Sequence, residues 1–147
     1  MLLPFDEGLT QTIKFDAECA AMADRHYSRQ RIGSPQFAPP GETLILRDNH
    51  CTVLFVWCRQ LQARADGQEG VNCTIFRNES NRLSSEIILE AEDYAVGRWG
   101  NIRGFTYIDS SKIRSKNPGC CFKKAAWKRC GISANGKLLL EKELRML

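Results

Sequence analysis

The sequence has no long apolar run. The longest, Thr52 to Cys58, is far shorter than the roughly 20 residues that a membrane-spanning helix needs, and its length suits a buried strand. The first residues also lack the order of a secretory signal, because Met1-Leu2-Leu3 is followed at once by Pro4 and Asp6. We therefore expect a cytoplasmic protein without a membrane-spanning segment.

Metal-binding patterns are absent as well. The chain has seven cysteines and two histidines, but the adjacent Cys120 and Cys121 have no Cys-x-x-Cys partner, and the histidines lack zinc spacing. The odd cysteine count, with Cys51, Cys58 and Cys73 in apolar strand-like segments, indicates reduced thiols that serve as small hydrophobic side chains. We expect no metal site and no disulfide scaffold.

Acidic residues are scarce in one part of the chain. From Arg98 to Arg129 nine basic residues accompany a single acid, Asp109, although the net charge of the whole chain is only +4. Concentrated positive charge attracts phosphate-bearing ligands, DNA included, but an ordinary solvated surface would show the same composition. The residues that we assign to substrate or DNA binding are Lys112, Arg114, Lys116, Lys123 and Lys124.

Hydrophobic periodicity predicts a mixed α+β (α/β) fold in one domain that spans residues 1–147. The first predicted elements are a helix over Phe15 to His26 capped by Asp16, a loop from Arg29 to Gly41, and an antiparallel hairpin of Thr43 to Arg47 with Cys51 to Arg59. The next are a strand from Val71 to Phe76, a helix from Ser84 to Trp99 capped by Ser84 or Ser85, and a strand from Gly104 to Ile108. A short helix after Asn117-Pro118-Gly119, with Cys121, Phe122, Ala125 and Ala126 towards the core, and a terminal strand complete the prediction. The tail from Gly131 to Leu140 also carries a hairpin signal at Asn135-Gly136.

This order of elements resembles the GCN5-related N-acetyltransferase (GNAT) superfamily over roughly Thr43 to Leu140. The run from Cys121 to Trp127 is similar to a late motif of that superfamily: an aromatic pair, two polar residues, a small apolar pair and an aromatic residue. Asn117 stands where those enzymes often carry an asparagine near the pantetheine arm of coenzyme A. The resemblance implies a mixed, mostly antiparallel sheet flanked by helices, in which the strands that end at Phe76 and Asp109 splay apart around a cleft.

The resemblance also implies a site for acetyl-CoA or a related acyl donor. The turn from Arg77 to Leu83 would present backbone amides at a helix N-terminus, where pyrophosphate binds readily. The implied cofactor-binding residues are Phe76, Arg77, Asn78, Arg82, Leu83, Ser84, Ser85, Asn117 and Phe122. The chain departs from the superfamily at Ser80 and Arg82, where small residues are usual, and at Phe122, where a hydroxyl-bearing ring often protonates the leaving thiolate. We expect an unusual ligand or proton route.

A narrower resemblance fits these departures. The segments Arg25-His26-Tyr27-Ser28-Arg29, Gly33-Ser34-Pro35, Phe76-Arg77-Asn78-Glu79 and Asn117-Pro118-Gly119 resemble small phage-encoded GNAT-like proteins such as the Mom-type DNA-modification proteins. That resemblance implies modification of adenine in DNA, protection of phage DNA from restriction, and a phage- or prophage-encoded protein in the cytoplasm of a bacterial host cell.

Polar residues at element ends supply the candidate catalytic groups. His26, Tyr27 and Ser28 follow the first predicted helix. Histidine accepts protons near neutral pH, and tyrosine can donate to a developing oxyanion or thiolate. Asp109 ends the strand beside the implied cleft, where it could orient an amine or hold His26. A capping histidine beside a core tyrosine, and a turn aspartate, would explain the same positions, so both interpretations stay open.

Three functions follow from these observations. The first is a GNAT-like acyl-group transferase that modifies an amine, with adenine in DNA as the acceptor. The second is an acetyl-CoA-dependent N-acetyltransferase for a protein lysine or a small amine. The third is a non-catalytic adaptor that binds nucleic acid or a host protein on an acyltransferase-like scaffold.

Overall fold

Seven strands form one open sheet in the computed structural model, which describes residues 8–26, 29, 32–112 and 119–146. The strands are β1 (Thr10–Thr12), β2 (Glu42–Arg47), β3 (Val53–Arg59), β4 (Val71–Asn78), β5 (Ile102–Ile108), β6 (Lys128–Ile132) and β7 (Leu138–Leu144). Three α-helices occur in the described ranges, α1 (Ala17–Asp24), α2 (Ser84–Trp99) and α3 (Cys120–Lys124). The predicted mixed fold with a mostly antiparallel sheet is confirmed.

The sheet has the strand order β1-β2-β3-β4-β5-β7-β6. β4 and β5 are parallel and are joined by α2, whereas the other neighbouring strands are antiparallel. The predicted hairpin is β2–β3, with Ile45 opposite Val56. Its turn is held by Asp48, whose Oδ1 accepts hydrogen bonds from the amides of Thr52 at 2.6 Å and Val53 at 2.8 Å.

The two parallel strands at the centre separate soon after they begin. Registered pairing between β4 and β5 covers only Val71 with Gly104 and Asn72 with Phe105. In the next part of β4, Cys73 lies opposite Trp57 and Ile75 lies opposite Val56, so that Thr74 is an extra residue in a β-bulge. Bulges bend a strand and strengthen its twist. The bulge therefore accompanies the point where β4 turns away from β5.

Both faces of the sheet are covered by hydrophobic side chains. Successive side chains along β2 and β3 point to opposite faces and belong in turn to two buried clusters. One face packs against α2 and α3 and contains an aromatic group: Phe55, Trp57, Phe76, Phe122 and Trp127. The other face packs against α1 and the loop that carries Phe37. Among the residues described, no helix combines the length and the apolar character needed to cross a membrane.

Several local predictions need correction. The N-cap of α2 is Leu83, without a side-chain cap, rather than Ser84 or Ser85, whereas Asp16 caps α1 as predicted and accepts from the Glu18 and Cys19 amides. Ala126 is exposed with a φ of 72° instead of facing the core. Strand β1 was not predicted, and β6 was indicated only by the hairpin signal at Asn135-Gly136, which lies between β6 and β7. Both β1 and β6 are sheet edges with mostly polar, exposed residues, which leave no alternating apolar signal.

Candidate functional site

A cleft of about 780 Å³ lies where β4 and β5 separate. Its floor is formed by Asn72 to Ile75 of β4, and one wall is the loop that precedes β2. Tyr107 and Asp109, at the end of β5, line the opposite wall together with Lys112 and Lys137. The cleft is large enough for a small-molecule ligand. It lies on the sheet face that packs against α1, because Phe37 and Ile75 belong to that cluster.

The loop wall is held by a buried arginine. The Arg29 side chain, 5% exposed, pairs with Asp24 of α1 at 2.8 Å and donates from Nη1 to the Gln36 carbonyl at 2.9 Å and from Nη2 to that of Ser34. The Gly33 amide also donates to Asp24, and this bond, followed by those from Arg29, lowers the pKa of the Asp24 carboxyl. The described part of the loop is packed down at Phe37, whereas Ile32 is exposed. Its anchor is an ion pair together with the buried Phe37.

The mouth of the cleft carries opposite charges. Asp109 accepts hydrogen bonds from the Ser111 hydroxyl at 2.6 Å and the Ser111 amide at 3.1 Å, and these bonds, before the charges of Lys112 and Lys137, lower its pKa. The Lys112 Nζ lies 3.9 Å from Asp109. Asp109 therefore starts the short 3-10 helix Ser110–Lys112, which is the turn role considered from the sequence, and its carboxylate also lines the cleft.

His26 lies at the other end of β4. Its amide donates to the Ala23 carbonyl at 2.9 Å, just after α1. Burial and, after it, the nearby charge of Arg77 lower the pKa of the imidazole to about 4, and a hydrogen bond with the Phe76 backbone opposes both effects. The ring is therefore neutral at pH 7. Its neighbours Tyr27 and Ser28 lie outside the described residues, as do Arg114, Lys116 and Asn117.

Arg77 takes part in an ion-pair cluster beside His26. The Glu79 carboxylate receives two bonds from Arg25, at 2.8 Å and 3.0 Å, and a third from Arg77 Nε. Arg77 Nη1 also donates to the Arg25 carbonyl at 2.7 Å. These bonds, those from Arg25 first, lower the pKa of Glu79 to about 2. Arg77, which the resemblance assigns to the cofactor, thus ties the end of β4 to the end of α1.

Asn78 organises the turn between β4 and α2. Its Oδ1 accepts from the Ser80 amide at 2.9 Å, and its Nδ2 donates to the Arg82 carbonyl at 2.8 Å and to Ser84 Oγ at 3.0 Å. Arg82 Nη1 pairs with Glu90 at 3.0 Å. The turn is therefore built by its own side chains. The helix that follows starts at the exposed Leu83 without a side-chain cap, and the first amides of a helix have no intrahelical partner.

The remaining predicted cofactor and DNA residues separate into core and surface. Phe122 is 3% exposed and packs edge-on against Phe76, with ring centroids 6.0 Å apart, and against Trp127 at 5.0 Å. Phe122 is therefore the buried core residue of α3. Lys123 and Lys124 lie on the exposed side of the same helix. Ser85 is half-buried in the first turn of α2.

Comparison of the chain with protein-family models, with curated proteins and with solved structures gives no match. Within the described ranges, no group of three or more His, Cys, Asp or Glu side chains is arranged to hold a metal ion. The geometry of the cleft and of the start of α2 is therefore the basis for inferring a function.

Sequence reasoning missed three residues that shape the cleft, namely Asn72, Thr74 and Lys137. Asn72 and Thr74 alternate with Val71 and Cys73, which is the pattern of a strand with one solvent face, and only the covering loop makes that face the floor of a cleft. Lys137 reaches the cleft from the β6–β7 turn. The available signal was the long loop itself, because loops of this length in small domains are often functional.

The buried neutral His26 should make stability depend on pH. The pKa of His26 is 6.5 in the unfolded chain and about 4 in the folded protein. Between these two pH values the unfolded state therefore binds more protons than the folded state does. The free energy of unfolding should therefore decrease from pH 7.5 to pH 5, by up to roughly 2 kcal/mol from this residue. Urea unfolding at both pH values measures it.

Two variants isolate the contribution of His26. His26→Gln should lose that part of the pH dependence, whereas His50→Gln, at an exposed position in the β2–β3 turn, should keep it. The same pH dependence in His26→Gln and in the wild type would show that His26 titrates normally in the folded protein.

Proposed function

We propose that this protein is a GNAT-like acyl-group transferase that moves an acyl group from acetyl-CoA, or a related thioester, to an amine. The observation that carries the proposal is the separation of β4 from β5 after two registered residue pairs, with the uncapped start of α2 just beyond β4. In general, splayed parallel strands followed by a helix N-terminus can hold an extended, phosphate-bearing cofactor.

The start of α2 supports the phosphate end of this proposal. The first-turn amides of this 16-residue helix carry partial positive charge, and Leu83 provides no competing side-chain cap. Arg82 adds a guanidinium at the same end of the helix, close to Glu90. Arg77 is held by Glu79 and Arg82 is paired with Glu90, so the phosphates would be bound first by the amides of Ser84 and Ser85.

The side chains near the end of β4 support the proton route. An amine must be uncharged to attack a thioester, and its nitrogen loses a proton during the transfer. A nearby group has to accept that proton. His26 is neutral at pH 7 and can accept a proton, although its pKa of about 4 makes it a weaker base than an ordinary imidazole. Phe122 is buried and has no hydroxyl, so the leaving thiolate would take its proton elsewhere, for which Tyr27 is the candidate.

We extend the proposal to an adenine in DNA as the acceptor, in a phage- or prophage-encoded protein that acts in the bacterial cytoplasm. Lys112 and Lys137 at the cleft, with Lys123 and Lys124 on α3, are cations suited to a phosphate backbone. An enzyme that reacts with a base in duplex DNA must flip the base out of the stack. A cleft of about 780 Å³ has room for a flipped base.

Expression in a bacterial host tests this proposal. DNA from the expressing cells, digested to nucleosides and analysed by mass spectrometry, should contain a deoxyadenosine derivative in which an acyl group replaces one hydrogen. His26→Ala should abolish the derivative while the variant remains folded by circular dichroism, and His50→Ala should leave it unchanged. An unmodified nucleoside profile, with the wild-type protein folded and abundant, would contradict DNA modification.

Two other outcomes correspond to the alternative functions. Release of the coenzyme A thiol with a lysine peptide or a small amine, unaffected by DNA, would identify an N-acetyltransferase. Salt-sensitive DNA binding without any affinity for acetyl-CoA would identify a non-catalytic adaptor. The ion pairing of Arg77 and the burial of Phe122 are the observations that favour the adaptor, because they remove two implied cofactor contacts.

A further inference from the structure

Two buried polar atoms on the floor of the cleft have no partner. Three side-chain polar atoms in the described chain are buried without a hydrogen bond, namely Asn72 Oδ1, Thr74 Oγ1 and Trp99 Nε1. The first two line the same cleft, whereas Trp99 lies at the far end of α2. Buried polar groups are nearly always satisfied in native proteins, and leaving them unpaired is costly. Two such atoms in one cleft indicate a place where a ligand supplies the missing hydrogen bonds.

The backbone places these two side chains side by side. Residues two apart on a strand share a face. Val71 and Cys73 belong to the cluster under α2, so Asn72 and Thr74 lie on the opposite face, below the loop that Arg29 anchors. Thr74 is the bulged residue of β4, and bulges re-aim side chains next to functional sites. Thr106 Oγ1 already donates to the Cys73 carbonyl at 2.8 Å, which holds the strand at this point.

The mouth of the cleft has the charge of an anion site. Lys112 is largely exposed, with its side chain at 57%, and Lys137 lines the same rim. Among the described residues that line the cleft they face a single carboxylate, Asp109, which is already hydrogen-bonded by Ser111. Arg29 also lines the cleft, but its guanidinium is occupied by Asp24 and by two loop carbonyls. The two lysines are therefore the cations that a ligand meets.

These features together specify a ligand with two unlike ends. Both unpaired atoms are oxygens that can accept hydrogen bonds, so an inner end with N–H donors would satisfy both of them. The rim presents two ammonium groups, so the outer end must be anionic. A hydrocarbon ligand would leave the floor unpaired. A metal ion would require several carboxylate, imidazole or thiolate ligands, and the described residues contain no such group.

We propose that this cleft binds a nucleotide whose base carries an exocyclic amino group, with Asn72 and Thr74 accepting hydrogen bonds from the base and with Lys112 and Lys137 binding its phosphate. The inference rests on the proposed function in one respect, since it describes how the acceptor is recognised. Asn72 and Thr74 are then the residues that determine specificity. Hydrogen-bonding an amino group through both N–H bonds also holds its nitrogen in place for reaction with a thioester.

Equilibrium binding of free nucleotides tests the proposal without coenzyme A and without turnover. The probes are two matched pairs, CMP with UMP and AMP with IMP, in which an amino group is replaced by an oxo group, together with inorganic phosphate. Isothermal titration of the full chain should show CMP and AMP binding at least tenfold more tightly than UMP and IMP, with inorganic phosphate the weakest. Equal affinities within both pairs, or no nucleotide binding, would overturn the proposal.

Shape-conserving variants separate recognition from structure. Asn72→Leu and Thr74→Val remove the unpaired oxygen atoms, so thermal stability should be unchanged or raised while the preference for amino over oxo bases is lost. Lys137→Ala should weaken the binding of all four nucleotides by a similar factor and keep the preference for amino bases. Lys14→Ala, an exposed change before α1, should leave binding unchanged. A preference retained in the Asn72→Leu and Thr74→Val variants would refute the assignment.

The two proposals fail in different experiments. Nucleotide binding with the expected preference but no acyl transfer would leave this inference standing and refute the proposed function. Acyl transfer to DNA without a preference for amino bases would support the proposed function and refute this inference.

Discussion

Replacing Gly70 by alanine should lower the free energy of unfolding by about 3 kcal/mol or more and leave much of the chain unfolded at 37 °C. Gly70 has a φ of 122°, and a Cβ atom there would lie 2.1 Å from the Arg103 carbonyl oxygen. That oxygen belongs to the backbone of β5 and cannot rotate away. The clash falls beside the pairing of Val71 with Gly104, where β4 and β5 first meet.

Gly67 provides a matched control in the same loop. It has a φ of 73°, but an added Cβ would meet no atom within 4 Å. Gly67→Ala should therefore cost only the backbone penalty of a left-handed residue, about 1 kcal/mol. Urea unfolding followed by circular dichroism measures both variants. Losses of equal size would show that the contact of Gly70 with β5 does not constrain the start of the parallel pair.

Replacing Lys142 by methionine should destabilise the protein by about 3 to 5 kcal/mol at pH 7. The Lys142 Nζ lies 2.7 Å from Glu92 Oε1 and also donates to the Ala125 carbonyl at 2.8 Å. Glu92, 7% exposed on α2, further accepts from Trp127 Nε1 at 3.1 Å. Without Lys142 a carboxylate would remain buried with a single donor. This group joins α2, β7 and the segment after α3.

The loss caused by Lys142→Met should be smaller at pH 5. Burial already raises the pKa of Glu92, and Lys142 and Trp127 oppose that rise, so removing the lysine raises the pKa further. The folded variant then holds a proton that the unfolded chain releases above about pH 4.5, and its stability recovers as the pH falls. Urea unfolding at pH 5 and pH 7 measures the difference.

A double variant and a surface pair serve as controls. Glu92→Leu combined with Lys142→Met should regain most of the lost stability, because well-packed apolar residues can replace a buried ion pair. Arg98→Met breaks a partly exposed pair with Glu42, 3.5 Å apart, and should cost less than about 1 kcal/mol. If the double variant were as unstable as Lys142→Met alone, the energetic coupling of Glu92 to Lys142 would be disproved.

Most of the central fold could be predicted from the sequence. The hairpin β2–β3, the strand β4, the helix α2 and the strand β5 follow from apolar periodicity, and Asp16 was identified as the cap of α1. The residues of the edge strands β1 and β6 are exposed and polar and carry no period, so β1 was missed and only the turn at Asn135-Gly136 indicated β6. The predicted N-cap of α2 was wrong, because Ser84 lies inside the helix and its hydroxyl oxygen accepts a hydrogen bond from Asn78.

The candidate site was predictable only in outline. His26, Asp109 and the turn after β4 were recognised as chemically capable groups at element ends, and the structure places each of them near a different part of β4 or β5. The roles of Arg77 and Arg29 depend on partners that no local pattern reveals. Arg77 bonds to the carbonyl of Arg25, 52 residues away in sequence, and Arg29 holds loop carbonyls.

The sequence by itself determined the helices and strands of the interior, the concentration of basic residues after α2, and the polar turn before that helix. These properties depend on residues within a few positions of one another. Only the tertiary structure decided that β4 and β5 part after two registered pairs, that a loop covers Asn72 and Thr74, and that Glu92 is buried with Lys142. Such features arise from packing between distant segments, where burial and pairing outweigh local preference.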